Sequence, residues 1–312
     1  MPSAVVFAYH NVGCRCLSVL LAHGVDIPLV VTHDDSPSET IWFESVERLA
    51  RLHDIEVATP DDPNASAFAD RIAALRPDFL FSFYYRQMLK PALLALPARG
   101  ALNMHGSLLP RYRGRAPVNW AVLHGERETG ATLHYMVEKP DAGAIVAQQA
   151  VPILPDDTAL EVFAKVTVAA ELALDRVVPD LLAGRAPAIV QDLSRGSYFS
   201  GRRPEDGRID WSRSAREIHD LVRAVAPPYP GAFTDVQGRR VRILRTLHDG
   251  RRGAHPHPVV YCEGGRCFAQ CGDGRLLRIL SMEVDGTMLG SESFERIGQT
   301  PPTGLAGAPS QP

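Results

Sequence analysis

The first half of the chain alternates short apolar runs with segments whose apolar residues recur every three or four positions. Short runs rich in β-branched and aromatic residues predict strands, whereas the longer period predicts helices. The predicted strands are Ala4–Ala8, Ile27–Thr32, Glu56–Ala58, Phe79–Phe83, Ala101–Met104 and Ala131–Met136. The predicted helices between them are Cys14–His23, Ser45–His53 and Asn64–Leu75. This alternation predicts an α/β fold, a Rossmann-like domain with a mostly parallel sheet over residues 1–190.

The second half has a different pattern. A long helical segment, Thr158–Leu182, ends near Gly184, and a shorter helix is predicted at Ser214–Val225. Short strands separated by glycine turns follow, at Ala232–Val236, Arg240–Leu247, Val259–Tyr261 and Leu276–Met282. They predict a small antiparallel OB-like barrel domain over residues 204–300. The proline-, glycine- and alanine-rich tail, residues 301–312, is predicted to be disordered.

Charge and composition narrow the function classes. With 33 basic and 36 acidic residues, the net charge of -3 gives no overall cationic field for nucleic acid. The early apolar run Ala4–Ala8 is too short for a signal peptide or a membrane span, so we expect a soluble, cytoplasmic protein without membrane insertion. Five cysteines, an odd number, fit a reducing compartment in which a disulfide framework is unexpected. The spacing of Cys262, Cys267 and Cys271 matches no standard zinc pair, and no metal is expected.

The turn after the first strand argues against a nicotinamide cofactor. Residues 9–13 contain a single glycine, Gly13, where a dinucleotide-binding Rossmann domain has the GxGxxG fingerprint. The later Gly272-Asp273-Gly274 is better explained as a hairpin turn. A dinucleotide therefore has no evident binding site.

Candidate catalytic residues lie at the end of the fifth predicted strand. Asn103 and His105 are two residues apart, so in an extended chain their side chains project from the same face. Asp141 follows the sixth predicted strand. An amide and an imidazolium can stabilise negative charge on a carbonyl oxygen, and a nearby carboxylate raises the pKa of the histidine. This set suits acyl transfer to an amine, with His105 as general acid.

Three arginines, Arg111, Arg113 and Arg115, follow this strand directly. Guanidinium groups bind phosphates and carboxylates in bidentate geometry, so the loop is a candidate for anion recognition. The candidates for binding a substrate diphosphate are Arg111, Arg113, Arg202 and Arg203. The sequence does not choose among these four arginines.

A wider set of motifs resembles the formyltransferases that use 10-formyltetrahydrofolate. The resemblance is carried by Asn103-x-His105, Ser107-Leu108-Leu109-Pro110, Arg113-Gly114, Ala116-Pro117, Thr129-Gly130 and Asp141-x-Gly143, then by Ile209-Asp210-Trp211 and Pro230-Gly231-Ala232. It extends to about residue 300. It implies that His105 is the proton donor, Asn103 the transition-state stabiliser and Asp141 the group that raises the pKa of His105.

The same resemblance implies positions for the folate co-substrate. They are Gln87, Met88 and Leu89, then Arg115, and then Val137, Glu138, Lys139 and Pro140. In this family, backbone groups can make these contacts, so the identity of each side chain is a weak test.

Within the family, several blocks resemble the formyltransferase halves of bifunctional polymyxin-resistance proteins, which act on UDP-4-amino-4-deoxy-L-arabinose in lipid A modification. They include Phe81-Ser82-Phe83-Tyr84-Tyr85-Arg86, Ala116-Pro117-Val118-Asn119-Trp120, Thr132-Leu133-His134 and Gly201-Arg202-Arg203-Pro204. The methionyl-tRNA formyltransferases typically have alanine where Gly106 stands and a basic loop where this chain has the acidic residues 33–39. The chain lacks the oxidising half of the bifunctional proteins, so an oxidative decarboxylase is expected on a separate polypeptide.

Three hypotheses therefore remain open. The acceptor is a UDP-linked amino sugar on the main hypothesis, and a dTDP-linked amino sugar or initiator methionyl-tRNA on the second. The third is a non-catalytic folate or RNA binding module, since small barrels often bind oligonucleotides. A pure binder has no need of a matched acid and carboxylate, which favours an enzyme.

Overall fold

The computed structural model describes residues 2–36, 41–236 and 238–290. Its strands are β1 (Ser3–Ala8), β2 (Asp26–Val31), β3 (Glu56–Ala58), β4 (Phe79–Phe83), β5 (Ala101–His105), β6 (Arg113–Gly114), β7 (Glu128–Tyr135), β8 (Ile145–Pro152), β9 (Tyr198–Phe199), β10 (Ala232–Val236), β11 (Arg239–Arg252), β12 (Val259–Glu263), β13 (Arg266–Gln270), β14 (Arg275–Val284) and β15 (Thr287–Met288). Its α-helices are α1 (His10–Ala22), α2 (Val46–Leu52), α3 (Ser66–Leu75), α4 (Pro91–Leu94), α5 (Pro117–Leu123), α6 (Ala159–Leu182) and α7 (Ala215–Ala224).

The described residues form two compact units. The first unit comprises those within 1–117, 128–152 and 163–200, and the second those within 118–127, 153–162 and 201–312. The tail predicted to be disordered, residues 301–312, lies outside the described residues, as do residues 37–39 of the acidic loop. No helix in the described ranges combines the length and apolarity needed to cross a bilayer.

The first unit is built on a mostly parallel sheet with the order β3-β2-β1-β4-β5-β7-β8. Strands β1 to β5 pair in parallel, whereas β7 and β8 are antiparallel additions at one edge. The central strands β1 and β4 are buried on both faces, which explains their continuous apolar sequences. The Rossmann-like architecture predicted from the sequence is confirmed.

Apolar side chains fill both faces of this sheet. On one face, Phe7, Leu29 and Leu80 belong to a fully buried cluster beneath α3 residue Ile72. On the other, Phe81 stacks on Phe83 with ring centroids 5.5 Å apart. The sheet is therefore a rigid support for side chains at the strand ends.

The second unit contains an antiparallel sheet with the order β10-β11-β14-β13-β12, and β15 pairs with β14. Strand β11 departs from regular register with β14 at several points, and such bulges increase twist and curl a sheet. Helix α7 begins with a capping box: the Ser214 hydroxyl accepts from the Glu217 N–H and the Glu217 carboxylate accepts from the Ser214 N–H. A curled antiparallel sheet following a Rossmann-like domain agrees with the fold class predicted from the sequence.

The cysteines differ in one respect from the sequence-based expectation. Cys262 and Cys267 form a disulfide, because the β12–β13 register sets them directly opposite each other with Cα atoms 4.1 Å apart. Cys14, Cys16 and Cys271 are free and buried. Across the described ranges, no group of three or more histidine, cysteine or acidic side chains is arranged to hold a metal ion.

Candidate active site

Asn103 and His105 project from one face of β5, and the neighbouring strand adds a third polar side chain. In the antiparallel register between β5 and β7, Asn103 lies opposite His134. The Asn103 amide nitrogen is 3.2 Å from His134 Nε2, and His134 Nδ1 is 2.8 Å from the carbonyl oxygen of Tyr135. These partners favour the tautomer in which His134 donates through Nδ1 and accepts from Asn103 through Nε2.

Asp141 reaches the same face by an unexpected route. Because β7 runs antiparallel to β5, its last residue, Tyr135, pairs with Leu102, away from His105. The loop after β7 folds back, and the Asp141 carboxylate lies 3.5 Å from His105 Nδ1 and 3.6 Å from His134 Nε2. The sequence predicts that Asp141 lies near His105 because each residue follows a strand. The close approach instead depends on this reversal of the loop.

Gly143 makes the reversal possible. A Cβ atom added at this residue would lie 1.8 Å from the Tyr135 carbonyl oxygen, so any larger residue would push the loop off the strand. Asp141 itself has φ of +53°, a left-handed conformation that is uncommon for a residue with a side chain. The Asp141-x-Gly143 spacing therefore has a local steric cause.

His105 is a buried histidine with oxygen acceptors at both ring nitrogens. Nε2 donates to the Tyr112 carbonyl oxygen at 2.8 Å, and Nδ1 faces Asp141. The Nε2–H group is therefore hydrogen-bonded, and a protonated Nδ1 would face the charge of the Asp141 carboxylate across 3.5 Å. Burial nevertheless lowers the pKa of His105 below its ordinary value, since it outweighs the opposing effects of Asp141 and the Tyr112 carbonyl, and the charge of His134 acts with burial.

The Asp141 carboxylate is held in its charged form. Burial alone raises the pKa of Asp141, but the positive charge of His105, the nearby His134 ring and the hydrogen bond from the Gly114 N–H more than offset burial, and the net pKa lies well below its ordinary range. The Gly114 nitrogen lies 2.9 Å from Asp141 Oδ2. A fixed anion is therefore held beside a histidine that can exchange a proton.

The loop after β5 is fastened by polar contacts within the first unit. Thr132 Oγ1 donates to the Ser107 carbonyl at 2.6 Å and accepts from the Leu109 N–H at 3.2 Å. Gln148 Nε2 donates to the same hydroxyl and to the Leu109 carbonyl. These bonds fix the backbone that carries Tyr112 and Gly114 toward His105 and Asp141.

The residues predicted to bind folate occupy loops of the first unit. Gln87 donates its amide to the Asp61 carbonyl, whereas Leu89 is buried in the core cluster beside Leu93. Met88 is 59% exposed. The Arg115 side chain is exposed, and its backbone N–H donates to the Phe199 carbonyl. In the loop after β7, Val137, Glu138 and Lys139 are exposed and Pro140 is partly buried.

The other arginine candidates are distributed between the two units. In the first unit, Arg113 is buried, whereas Arg111 lies 3.6 Å from Glu128. In the second unit, the Arg202 guanidinium stacks on the Trp120 ring, 4.8 Å from its centroid, and Arg203 is exposed.

One site residue was absent from the sequence-based set. His134 contacts both Asn103 and Asp141, yet it lies inside a predicted strand, where a histidine is ordinarily structural. The sequence does contain a signal, because Thr132-Leu133-His134 is among the blocks that resemble the bifunctional polymyxin-resistance proteins within the family.

Two family models match the chain. Residues 15–178 match the model of the formyl transferase family, and residues 202–296 match the formyl transferase C-terminal domain. An N-formyltransferase from Helicobacter canadensis, solved with folinic acid and dTDP-3-aminofucose, superposes with a TM-score of 0.73 at 19% identity, covering 89% of this chain and 99% of its own.

Two further solved structures share the fold. WlaRD, a sugar 3N-formyltransferase solved with dTDP and 5-N-formyl-THF, gives a TM-score of 0.72 at 19% identity over 92% of this chain and 99% of its own. A 4-N formyltransferase from Francisella tularensis gives a TM-score of 0.62 at 22% identity, over 77% of this chain and 95% of its own. With both of its halves matched by the family models, the chain belongs to the formyl transferase family.

Proposed function

We propose that this protein transfers a formyl group from 10-formyltetrahydrofolate to the amino group of a nucleotide-linked amino sugar. The observation that carries the proposal is the joint position of Asn103, His105 and Asp141 on one face of the sheet, with both ring nitrogens of His105 facing oxygen acceptors. Family membership supports the reaction type, and the folates and dTDP sugars in the structural neighbours support the substrate classes.

Among acceptors, a dTDP-linked amino sugar is favoured. Two neighbours were solved with dTDP or a dTDP-amino sugar, and no feature of the described residues favours a UDP sugar over a dTDP sugar. UDP-4-amino-4-deoxy-L-arabinose, with its link to lipid A and polymyxin resistance, stays a prediction from sequence blocks. The separate oxidative decarboxylase depends on that acceptor and stays a prediction with it.

The proposed chemistry begins with attack of the neutral sugar amine on the formyl carbon. A new C–N bond forms while the bond between the formyl carbon and the folate nitrogen breaks, and the amine loses one proton as the folate nitrogen gains one. An Asn103 amide has two N–H donors, so one can bond His134 while the other stabilises charge on the formyl oxygen. His105 is the candidate to deliver the proton, and Asp141 stabilises its charged form.

The predicted folate positions fit a flat, partly apolar ligand that ends in carboxylates. Met88 and Val137 are apolar side chains that are 59% and 47% exposed, in the two loops proposed to hold the folate. The exposed Arg115 guanidinium suits a carboxylate. Gln87, Leu89 and residues 138–140 complete this proposed site, with Leu89 acting through its backbone because its side chain packs in the core.

An acceptor panel tests the proposal. Purified protein is given 10-formyltetrahydrofolate with dTDP-linked 3-amino and 4-amino sugars, UDP-4-amino-4-deoxy-L-arabinose or methionyl-tRNA, and both tetrahydrofolate release and product mass are measured. We expect formylation of a nucleotide sugar and none of methionyl-tRNA. Folate binding without turnover of any amine would leave the non-catalytic alternative standing.

The catalytic roles are tested with the best acceptor found. His105→Ala and Asp141→Ala each should lower kcat by about 10²- to 10⁴-fold, the usual contribution of a positioned acid or base. The exposed His257→Ala is the matched control and should leave kcat unchanged. Near-normal turnover in either site variant would exclude this mechanism.

A further inference from the structure

The segment that follows α6 contacts the Asp141 loop through a buried glutamine. Gln191 is 9% exposed, and its Nε2 donates to the Asp141 carbonyl oxygen at 3.0 Å and to the Gly143 carbonyl oxygen at 2.6 Å. These two carbonyls belong to the residues whose conformation turns the loop back toward His105. One side-chain amide thus ties the turn on both sides of Ala142.

The same segment also braces the backbone beside His105. Ser197 Oγ accepts from the Tyr112 N–H at 2.8 Å, and the Ser197 carbonyl accepts from the Arg113 N–H at 3.0 Å. Tyr112 in turn accepts from His105, and the Gly114 N–H donates to Asp141. Residues 191–197 therefore hold both halves of the proposed proton-transfer pair.

The distance between Asp141 and His105 is too long for a direct hydrogen bond to hold the two side chains together. Their separation of 3.5 Å exceeds ordinary N–H···O bond lengths, so the loop must be positioned by its other bonds. Asp141 also carries a left-handed backbone, which costs energy unless surrounding contacts enforce it. Gln191 supplies such contacts from a buried site.

We propose that Gln191 is a positioning residue for the formyl transfer, which sets the distance between the Asp141 carboxylate and His105. The predicted effect of Gln191 on turnover rests on the proposed function. Its predicted effect on His105 can be measured without any substrate. The two ideas can therefore fail separately.

The direct test is Gln191→Met, which keeps the length and bulk of the side chain but removes both N–H donors. We expect kcat to fall by tenfold or more, up to about 10²-fold, because small displacements of catalytic groups are costly. The KM values for both substrates should change by less than about twofold, since the groups proposed to bind them are untouched.

The second readout is the titration of His105, followed by NMR in ¹³C-histidine-labelled protein and assigned with His105→Gln. The titratable groups that face His105 are Asp141 and His134, and of these only Asp141 raises its pKa. If Gln191→Met lets Asp141 move away, burial and His134 remain, and His105 must titrate at lower pH than in the unaltered protein.

Val190→Ala is the matched control, because the neighbouring Val190 side chain is 86% exposed. It should leave kcat and the His105 titration unchanged. If thermal unfolding measurements show that Gln191→Met is not folded, Gln191→Asn takes its place, because it keeps the amide on a shorter side chain. A fall in kcat with an unshifted His105 titration would mean a general structural role and would overturn the inference, as would a variant with both readouts unaltered.

Discussion

Gly106, directly after His105, is constrained by Tyr84, the residue that follows the adjacent strand β4. A Cβ atom added at Gly106 would lie 2.1 Å from the Tyr84 hydroxyl oxygen and 3.2 Å from the ring carbon that bears it. Tyr84 follows β4 and has φ of +59°, so its own backbone is held in a demanding conformation. The glycine is therefore required by the tyrosine hydroxyl, and the two residues should vary together.

A double-mutant cycle tests this coupling. Gly106→Ala should lower kcat/KM by about tenfold or more and reduce thermal stability, because either Tyr84 or the backbone beside His105 must shift. In a Tyr84→Phe background the closest remaining contact is 3.2 Å, so the same substitution should cost much less.

Gly290→Ala serves as the control, since no atom in the described part of the chain lies within 4 Å of a Cβ atom at that residue. It should behave as the unaltered protein in both assays. Equal losses from Gly106→Ala with and without the Tyr84 hydroxyl would show that the contact is not the cause.

The chemistry of single residues could be predicted where it depends on local spacing. Asn103 and His105 share a face because side chains alternate along a strand. His134 was not predictable in this way, since its place opposite Asn103 depends on the register between β5 and β7, strands separated by a long stretch of chain. The tie between Gln191 and the Asp141 loop is equally non-local.

At the scale of elements, the long buried strands and the amphipathic helices were predictable, and so was the short edge strand β3, whereas strands such as β8 and the pair β6–β9 were not. The central β1 and β4 are continuous apolar runs. Strand β8 lies at the sheet edge, where Gln148 and Gln149 are only partly buried and interrupt the apolar pattern. The pair β6–β9 is two residues long in each strand, too short to leave a periodic signal.

Helix α7 carries a buried histidine that links elements of the second unit. His219 Nδ1 lies 2.9 Å from Thr246 Oγ1 on β11, and Nε2 lies 3.0 Å from the Pro155 carbonyl oxygen. Burial lowers the pKa of His219, more than the Pro155 carbonyl raises it, and the charged neighbours His248 and Arg223 also lower it while Asp220 opposes them. The folded state therefore favours neutral His219.

Acidification should accordingly weaken the attachment of α7. Since the folded-state pKa lies below the unfolded value of 6.5, the contribution of His219 is fully present above pH 6.5 and is lost as the pH falls below it. Amide hydrogen exchange of α7, corrected for intrinsic rates, should report a smaller opening free energy at pH 5.5 than at pH 7.5, with a slope of at most about 1.4 kcal/mol per pH unit.

His219→Gln removes the titrating group while keeping hydrogen-bonding capacity. Its α7 amides should lose most of this pH dependence, whereas His105 in the first unit still titrates. An undiminished slope in His219→Gln would assign the acid sensitivity of α7 to another group.

Across the whole molecule, the distribution of charge disfavours a nucleic acid as the acceptor. Its 33 basic and 36 acidic residues give a net charge of -3, and many arginines of the second unit are engaged with acidic groups, as Arg242 is with Glu283 and Arg208 with Asp235. Near the start of the chain, the exposed Asp34 and Asp35 add negative charge. A nucleic acid contacts many phosphates at once and needs the opposite distribution.

Salt dependence provides the corresponding measurement. Proteins that contact 6–10 phosphates lose about 10³- to 10⁵-fold in affinity between 50 and 200 mM salt. A nucleotide sugar presents only a diphosphate, so kcat/KM for that acceptor should fall by no more than about tenfold over the same range.

A competition experiment tests tRNA binding directly. Unacylated initiator tRNA, added as a competitor at 50 mM salt, should not inhibit the reaction, whereas dTDP or UDP should. Strong inhibition by the tRNA at 50 mM salt that is lost at 200 mM salt would mean that a local basic surface overrides the net charge. The acceptor would then have to be sought among aminoacylated tRNAs.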